Sequence, residues 1–85
     1  MNTLNNRLLI TKVEIKDKIY VYLNSSDILA IPYSYTKKLE LASSEDLSDY
    51  RLIGGGIGIN FPKIDEDISL EGIINYKTKY ELLAS

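Results

Sequence analysis

Apolar and polar residues alternate with a period of two through the first third of the chain, which predicts strands rather than helices. Leu8 and Ile10 share one face, and Val13 and Ile15 share one face. The phase slips by one residue near Thr11–Lys12, so a bulge or two short pieces is expected there. Lys16-Asp17-Lys18 is a tight polar break, after which Ile19, Val21 and Leu23 alternate with Tyr20, Tyr22 and Asn24. Residues 8–15 and 18–24 therefore form an antiparallel hairpin built from types that suit a half-buried pleated surface. Asn24-Ser25-Ser26-Asp27 has the side chains that bond their own backbone in turns. The apolar run Ile28–Ile31 makes a third strand. Pro32 ends it, because proline donates nothing to a central ladder.

The period then changes. Ser34 or Thr36 can cap a helix over 34–42, with Leu39 and Leu41-Ala42 as its apolar stripe. Ser43-Ser44-Glu45-Asp46 starts a second helix over 44–49, its acidic residues placed where a helix N-terminus favours negative charge. Residues 50–53 and 57–61 read as two strands joined by Gly54-Gly55-Gly56, a hairpin with a glycine turn. Pro62 stops the second of these strands. Ile68, Leu70 and Ile73-Ile74 predict a short helical face, extended by Tyr76, Tyr80 and Leu83 at i, i+4 and i+7. Residues 1–6 are polar and expected to fray. The sum is one α+β domain over 1–85: a small antiparallel sheet (a three-stranded N-terminal meander plus a later hairpin) packed by one or two short helices and a C-terminal helical segment.

Composition narrows the chemistry. A chain of 85 residues is one domain with a modest core. It has no Cys and no His, so thiol catalysis, thiolate zinc sites, disulfides and His-based triads are all outside its reach. No catalytic residue or cofactor is expected. The net charge of −2 lacks the basic footprint of a nucleic-acid binder, so nucleic acid is not an expected partner on its own. No apolar run approaches the roughly 20 residues that span a bilayer. The N-terminal segment is polar, and a cytoplasmic location is the expectation.

Three clusters invite chemistry. Gly54-Gly55-Gly56-Ile57-Gly58 lacks the Lys-Ser/Thr of a phosphate loop and precedes a strand, so it reads as a turn needing positive φ. Asp65-Glu66-Asp67 is the densest acidic cluster. Consecutive carboxylates do not converge on one point, and a cap at Asp65 or Asp67 with the rest solvated is the simpler reading; a carboxylate metal site is the alternative. Tyr20 and Tyr22 share the strand face opposite Ile19, Val21 and Leu23, with Tyr33 and Tyr35 just beyond the third strand. That face is either a partner surface, since Tyr is enriched at interfaces, or is covered by the C-terminal segment. Lys12, Lys16, Lys18, Lys37 and Lys38 read as solvated surface.

Ile31-Pro32, Leu39-Glu40-Leu41-Ala42, Gly58-Ile59-Asn60-Phe61-Pro62 and Ile64–Ile74 together resemble, over Leu9–Ile74, the prokaryotic family known as domain of unknown function 2442. The family's usual His-Trp is Asn60-Phe61 here. Its usual Asp-Gly before the third strand is Ser25-Ser26-Asp27. The resemblance implies a small α+β domain without an established activity, often encoded beside another small protein in an arrangement like toxin–antitoxin pairs. The expectation is a non-enzymatic protein-interaction module, the antitoxin-like or inhibitory partner in a two-gene or mobile-element system, with Tyr20, Tyr22, Tyr33, Tyr35, Asn60, Phe61, Asp65, Glu66 and Asp67 as candidate contacts. The exposed Tyr face and an edge strand also permit a homodimer. A nucleic-acid-associated regulatory accessory role is the other alternative.

Overall fold

The computed structural model describes residues 7–84, and side chains from 7 to 80. Residues 1–6, expected to fray, lie outside the described residues, and so does the side chain of Leu83, expected on a helical face. Strands β1 (Ile10–Ile15), β2 (Ile19–Leu23) and β3 (Ile28–Ile31) form an antiparallel meander in the order β1-β2-β3. The register shifts between Ile10 and Lys12 within one strand, so of the two outcomes that the slipped alternation allows the chain takes the bulge. It keeps Ile10 and Val13 both on the buried face with Thr11 and Lys12 exposed between them. Beyond the ladder, Asn24 extends the pairing with its side chain: its amide oxygen accepts from the Leu9 N–H at 3.0 Å and its amide nitrogen donates to the Arg7 carbonyl at 3.0 Å.

After β3, Tyr33–Tyr35 makes a single 3₁₀ turn, and α1 spans Lys37–Leu41. Thr36 is the N-cap, accepting from the Leu39 N–H, and Ser34 falls in the preceding turn. Helix α2, Ser44–Ser48, is capped by Ser43, which accepts from the Asp46 N–H. Each short helix delivers one leucine to the core, Leu39 and Leu47, both fully buried.

The later hairpin is larger than its sequence signal. Strands β4 (Arg51–Ile53) and β5 (Gly58–Phe61) are joined by β6 (Glu66–Ser69) into a second antiparallel sheet in the order β4-β5-β6. The helical face expected from Ile68 onward is thus corrected. Ile68 pairs with Ile59 in the sheet, and helix α3 runs Leu70–Ala84. Neither Asp65 nor Asp67 caps it. Ser69 does, its hydroxyl accepting from the Gly72 N–H at 2.9 Å, while the Leu70 N–H donates to the Ile57 carbonyl. Two of the amides that a helix start leaves without partners are thereby satisfied.

One core joins these parts. Sheet one contributes Ile10, Val13, Ile19, Val21, Leu23 and Ile31, and the second sheet adds Ile59, Phe61 and Ile68. Leu70 and Ile73 of α3 complete it. The glycine turn between β4 and β5 welds the two sheets together. Gly54, Gly55 and Gly56 all have positive φ, and the Gly56 carbonyl accepts from the Ile10 N–H at 2.8 Å. A second link runs from the Val13 N–H to the Tyr50 hydroxyl at 3.1 Å. Both donors lie on β1, an edge strand of its own sheet, so the second sheet satisfies amides that the meander leaves unpaired.

The glycines differ in what they tolerate. A β-carbon at Gly56 would lie 2.5 Å from the Ile10 carbonyl oxygen, whereas one at Gly55 meets nothing within 4 Å. Gly56→Ala should therefore cost about 3 kcal/mol or more, from backbone overlap added to φ strain, and Gly55→Ala only about 1–2 kcal/mol; urea denaturation of the two variants checks the difference. In the β2–β3 turn, Ser26 sits at φ 75, where a glycine is at ease. Ser26→Gly should stabilise the domain by about 0.5 kcal/mol, relief of strain outweighing the added chain entropy. That corresponds to a rise in Tm of roughly 3 °C by calorimetry.

Candidate functional site

Two sheet faces point away from the core. On the outer face of the first sheet, the register sets Tyr22 between Lys12 and Ile28 in one row, and Tyr20 between Glu14 and Ala30 in the next. Among the described residues, the C-terminal helix does not cover this face. It packs its Leu70 and Ile73 into the core on the other side and reaches only the rim, where the Lys77 ammonium donates to the Ala30 carbonyl at 2.8 Å. Ile28 is consequently 50% exposed, high for an isoleucine on a strand.

The tyrosines are held in place. The Tyr22 hydroxyl donates to the Glu14 carboxylate, and the Tyr20 hydroxyl donates to Asp17 at 2.9 Å. Lys12 and Lys16 flank Glu14 at 3.5 and 3.4 Å, and the Lys12 ammonium lies 4.4 Å from the centre of the Tyr22 ring. The bond from Tyr22 is the main influence keeping the Glu14 carboxyl below its ordinary range, with both lysines adding to it. The same bond raises the Tyr22 phenol, and Asp17 raises that of Tyr20. Both phenols therefore remain protonated donors at neutral pH, and neither ring is tethered to β3. A shallow trough remains, lined by Lys16, Tyr20, Tyr22, Ile28 and Ala30.

Of the other candidate residues, Tyr33 and Tyr35 do not join this surface. The Tyr33 hydroxyl donates to the Lys16 carbonyl and pins the end of β3 to the β1–β2 turn. Tyr35 stands edge-on to Tyr76 with ring centres 5.0 Å apart, and desolvation raises its phenol. Both are half-buried against the core.

The acidic and Asn60-Phe61 segments divide between the two sides of the second sheet. Phe61 is fully buried, so a partner of the folded domain meets Asn60 and not its neighbour. Asn60 faces outward in a row with Arg51 and Asp67, and its amide donates to the Asp67 carboxylate at 2.6 Å. Glu66, opposite Phe61, falls on the other side of β6. Asp65 occupies a left-handed turn residue, and its carbonyl accepts from the Lys38 ammonium at 2.8 Å. The three carboxylates thus diverge, and among the described residues no group of three or more acidic side chains is placed to hold a metal ion. Nor is any helix among them long and apolar enough to cross a membrane.

Sequence reasoning singled out Tyr20 and Tyr22 but left Ile28, Ala30, Glu14 and Lys16 out of the surface they share. The signal was available in parity: in a meander, residues that pair across strands share a face.

The fold recurs in solved structures. A crystal structure of a protein of unknown function from Rhodospirillum rubrum matches with a TM-score of 0.75 and 26% identity, over 84% of this chain and 89% of that one. A solution structure of an uncharacterized protein from Chromobacterium violaceum matches with a TM-score of 0.73 and 20% identity, over 86% of this chain and 70% of that one. A search of curated proteins finds no match. The model of the family described as protein of unknown function, DUF2442, covers residues 10–79, which takes in every strand, both short helices and most of α3. On that coverage the chain belongs to the DUF2442 family.

Proposed function

We propose that the domain is a non-enzymatic protein-interaction module, the antitoxin-like or inhibitory member of a small two-gene system, and that it meets its partner through the outer face of the first sheet. The observation that carries this reading is the half-exposed Ile28 beside two tyrosines whose hydroxyls are already anchored. Fixed aromatic rings lose little entropy on binding, and an exposed aliphatic next to them supplies area to remove from water. The charges on this face are mixed, with Lys12 and Lys16 paired to Glu14, which suits a protein partner better than a phosphate backbone.

Co-expression with the product of the adjacent gene tests this reading. A stoichiometric complex should elute from size exclusion, and Ile28→Lys or Tyr22→Ala should weaken it at least about tenfold, the effect of losing roughly 1.4 kcal/mol at a contact. Asn60→Ala, on the other sheet, should leave it intact. Absence of a complex, or one indifferent to both substitutions on the first sheet, overturns the assignment.

A further inference from the structure

The trough on the first sheet also constrains what can occupy it. We infer that it receives an apolar side chain of a partner protein, flanked in the partner's sequence by an Asp or Glu that lies against Lys16. This rests on the interaction reading and adds the chemistry of the partner segment.

The Tyr22 hydroxyl is tied to Glu14 on β1 and that of Tyr20 to Asp17 in the β1–β2 turn, so neither ring is tethered to β3. What this uncovers is Ala30, the smallest side chain on the face, with Ile28 as the facing wall and Lys16 at one end. A floor of one methyl group between two rings and an isoleucine takes an aliphatic or aromatic knob, with the Lys16 ammonium as the charged donor at its edge.

Charge decides the flank. Glu14, the carboxylate on the sheet face, is engaged by Tyr22, Lys12 and Lys16, while Asp17 lies in the β1–β2 turn, where it accepts from Tyr20. The side chains of Lys12 and Lys16 are 53% and 61% exposed against 30% for Glu14, and Lys16, not a carboxylate, lines the trough, so a group entering it meets ammonium first. A basic segment would be opposed, and an acidic one completes the network.

The mode of docking is constrained too. An extended peptide could otherwise add a strand to the β3 edge. Lys77 occupies the Ala30 carbonyl at the middle of that edge, so the contact is made by side chains on the face.

The test uses the whole chain and a phage-displayed library of random peptides. Enriched sequences should carry a large apolar residue within one turn or two strand positions of an Asp or Glu. A synthetic peptide of the winning sequence should bind Ala30→Glu and Lys16→Glu at least tenfold more weakly than the unaltered chain, and Asn60→Ala equally well. Amide shifts induced by that peptide in the unaltered chain should centre on Tyr20, Tyr22, Ile28 and Ala30, a readout that stands even if Ala30→Glu fails to fold. Enrichment of basic peptides, shifts centred elsewhere, or no enrichment above a blank surface overturns the inference. So does a concentration-dependent dimer of the unaltered chain that Lys16→Glu abolishes, which would make a second copy the occupant. If the co-expressed partner is lost with Ile28→Lys but holds to Lys16→Glu, the interaction reading stands and the acidic flank falls.

Discussion

The architecture hangs on a close approach of two backbones, that of Gly56 against that of Ile10. Neither sheet has enough strands or apolar area to stand well alone, since a three-stranded sheet needs something packed on it. The turn at Gly54–Ile57 supplies the joint. Through Gly56 it accepts from β1 of the first sheet, and through Ile57 it accepts from the opening amide of α3. One short loop thus fixes the second sheet against the first and sets where the long helix begins. Glycine is required there twice over, because the backbone has φ 129 at Gly56 and Ile10 leaves no room for a β-carbon.

The signature that marks the family has a physical division within it. Along Gly58–Phe61 and Glu66–Ser69, alternate residues serve opposite sides of one small sheet. Ile59, Phe61 and Ile68 face the core, and Asn60, Asp67 and Ser69 face outward. Asn60 and Phe61 therefore serve different sides of the sheet although they are neighbours in the chain. On the core side Phe61 supplies a fully buried aromatic ring. On the outer side Asn60 donates to Asp67 as a neutral amide, and this position carries no group that titrates near neutral pH.

Much of the fold was legible in the residues. The proline after Ile31, the second helix start at Ser43 and the triple glycine appear where their local meaning places them, and the structure takes one of two outcomes left open at Thr11–Lys12, a bulge, and one of two caps left open for the first helix, Thr36. The strand β6 was not legible. Glu66-Asp67-Ile68-Ser69 has a single buried apolar residue and acidic neighbours of poor strand propensity, so nothing local distinguishes it from the start of the helix that follows. Pairing with β5 makes it a strand, and Ser69, used as the cap, ends it.

The surface divides in the same way. That Tyr20 and Tyr22 lie opposite Ile19, Val21 and Leu23 follows from the two-residue repeat of a strand and needs no coordinates. Whether anything covers them does not follow, because a C-terminal helix can pack on either side of a sheet. The tertiary structure put α3 on the core side, with Ile73 fully buried and Lys77 at the rim, and so left the tyrosine face open. The sequence by itself determined most of the elements, β6 apart, and the sidedness of the meander strands, since these depend on local geometry and side-chain period. Only the tertiary structure decided that β6 joins β5, which face stays exposed and which candidate residues meet there, because those depend on contacts between segments that local pattern does not connect.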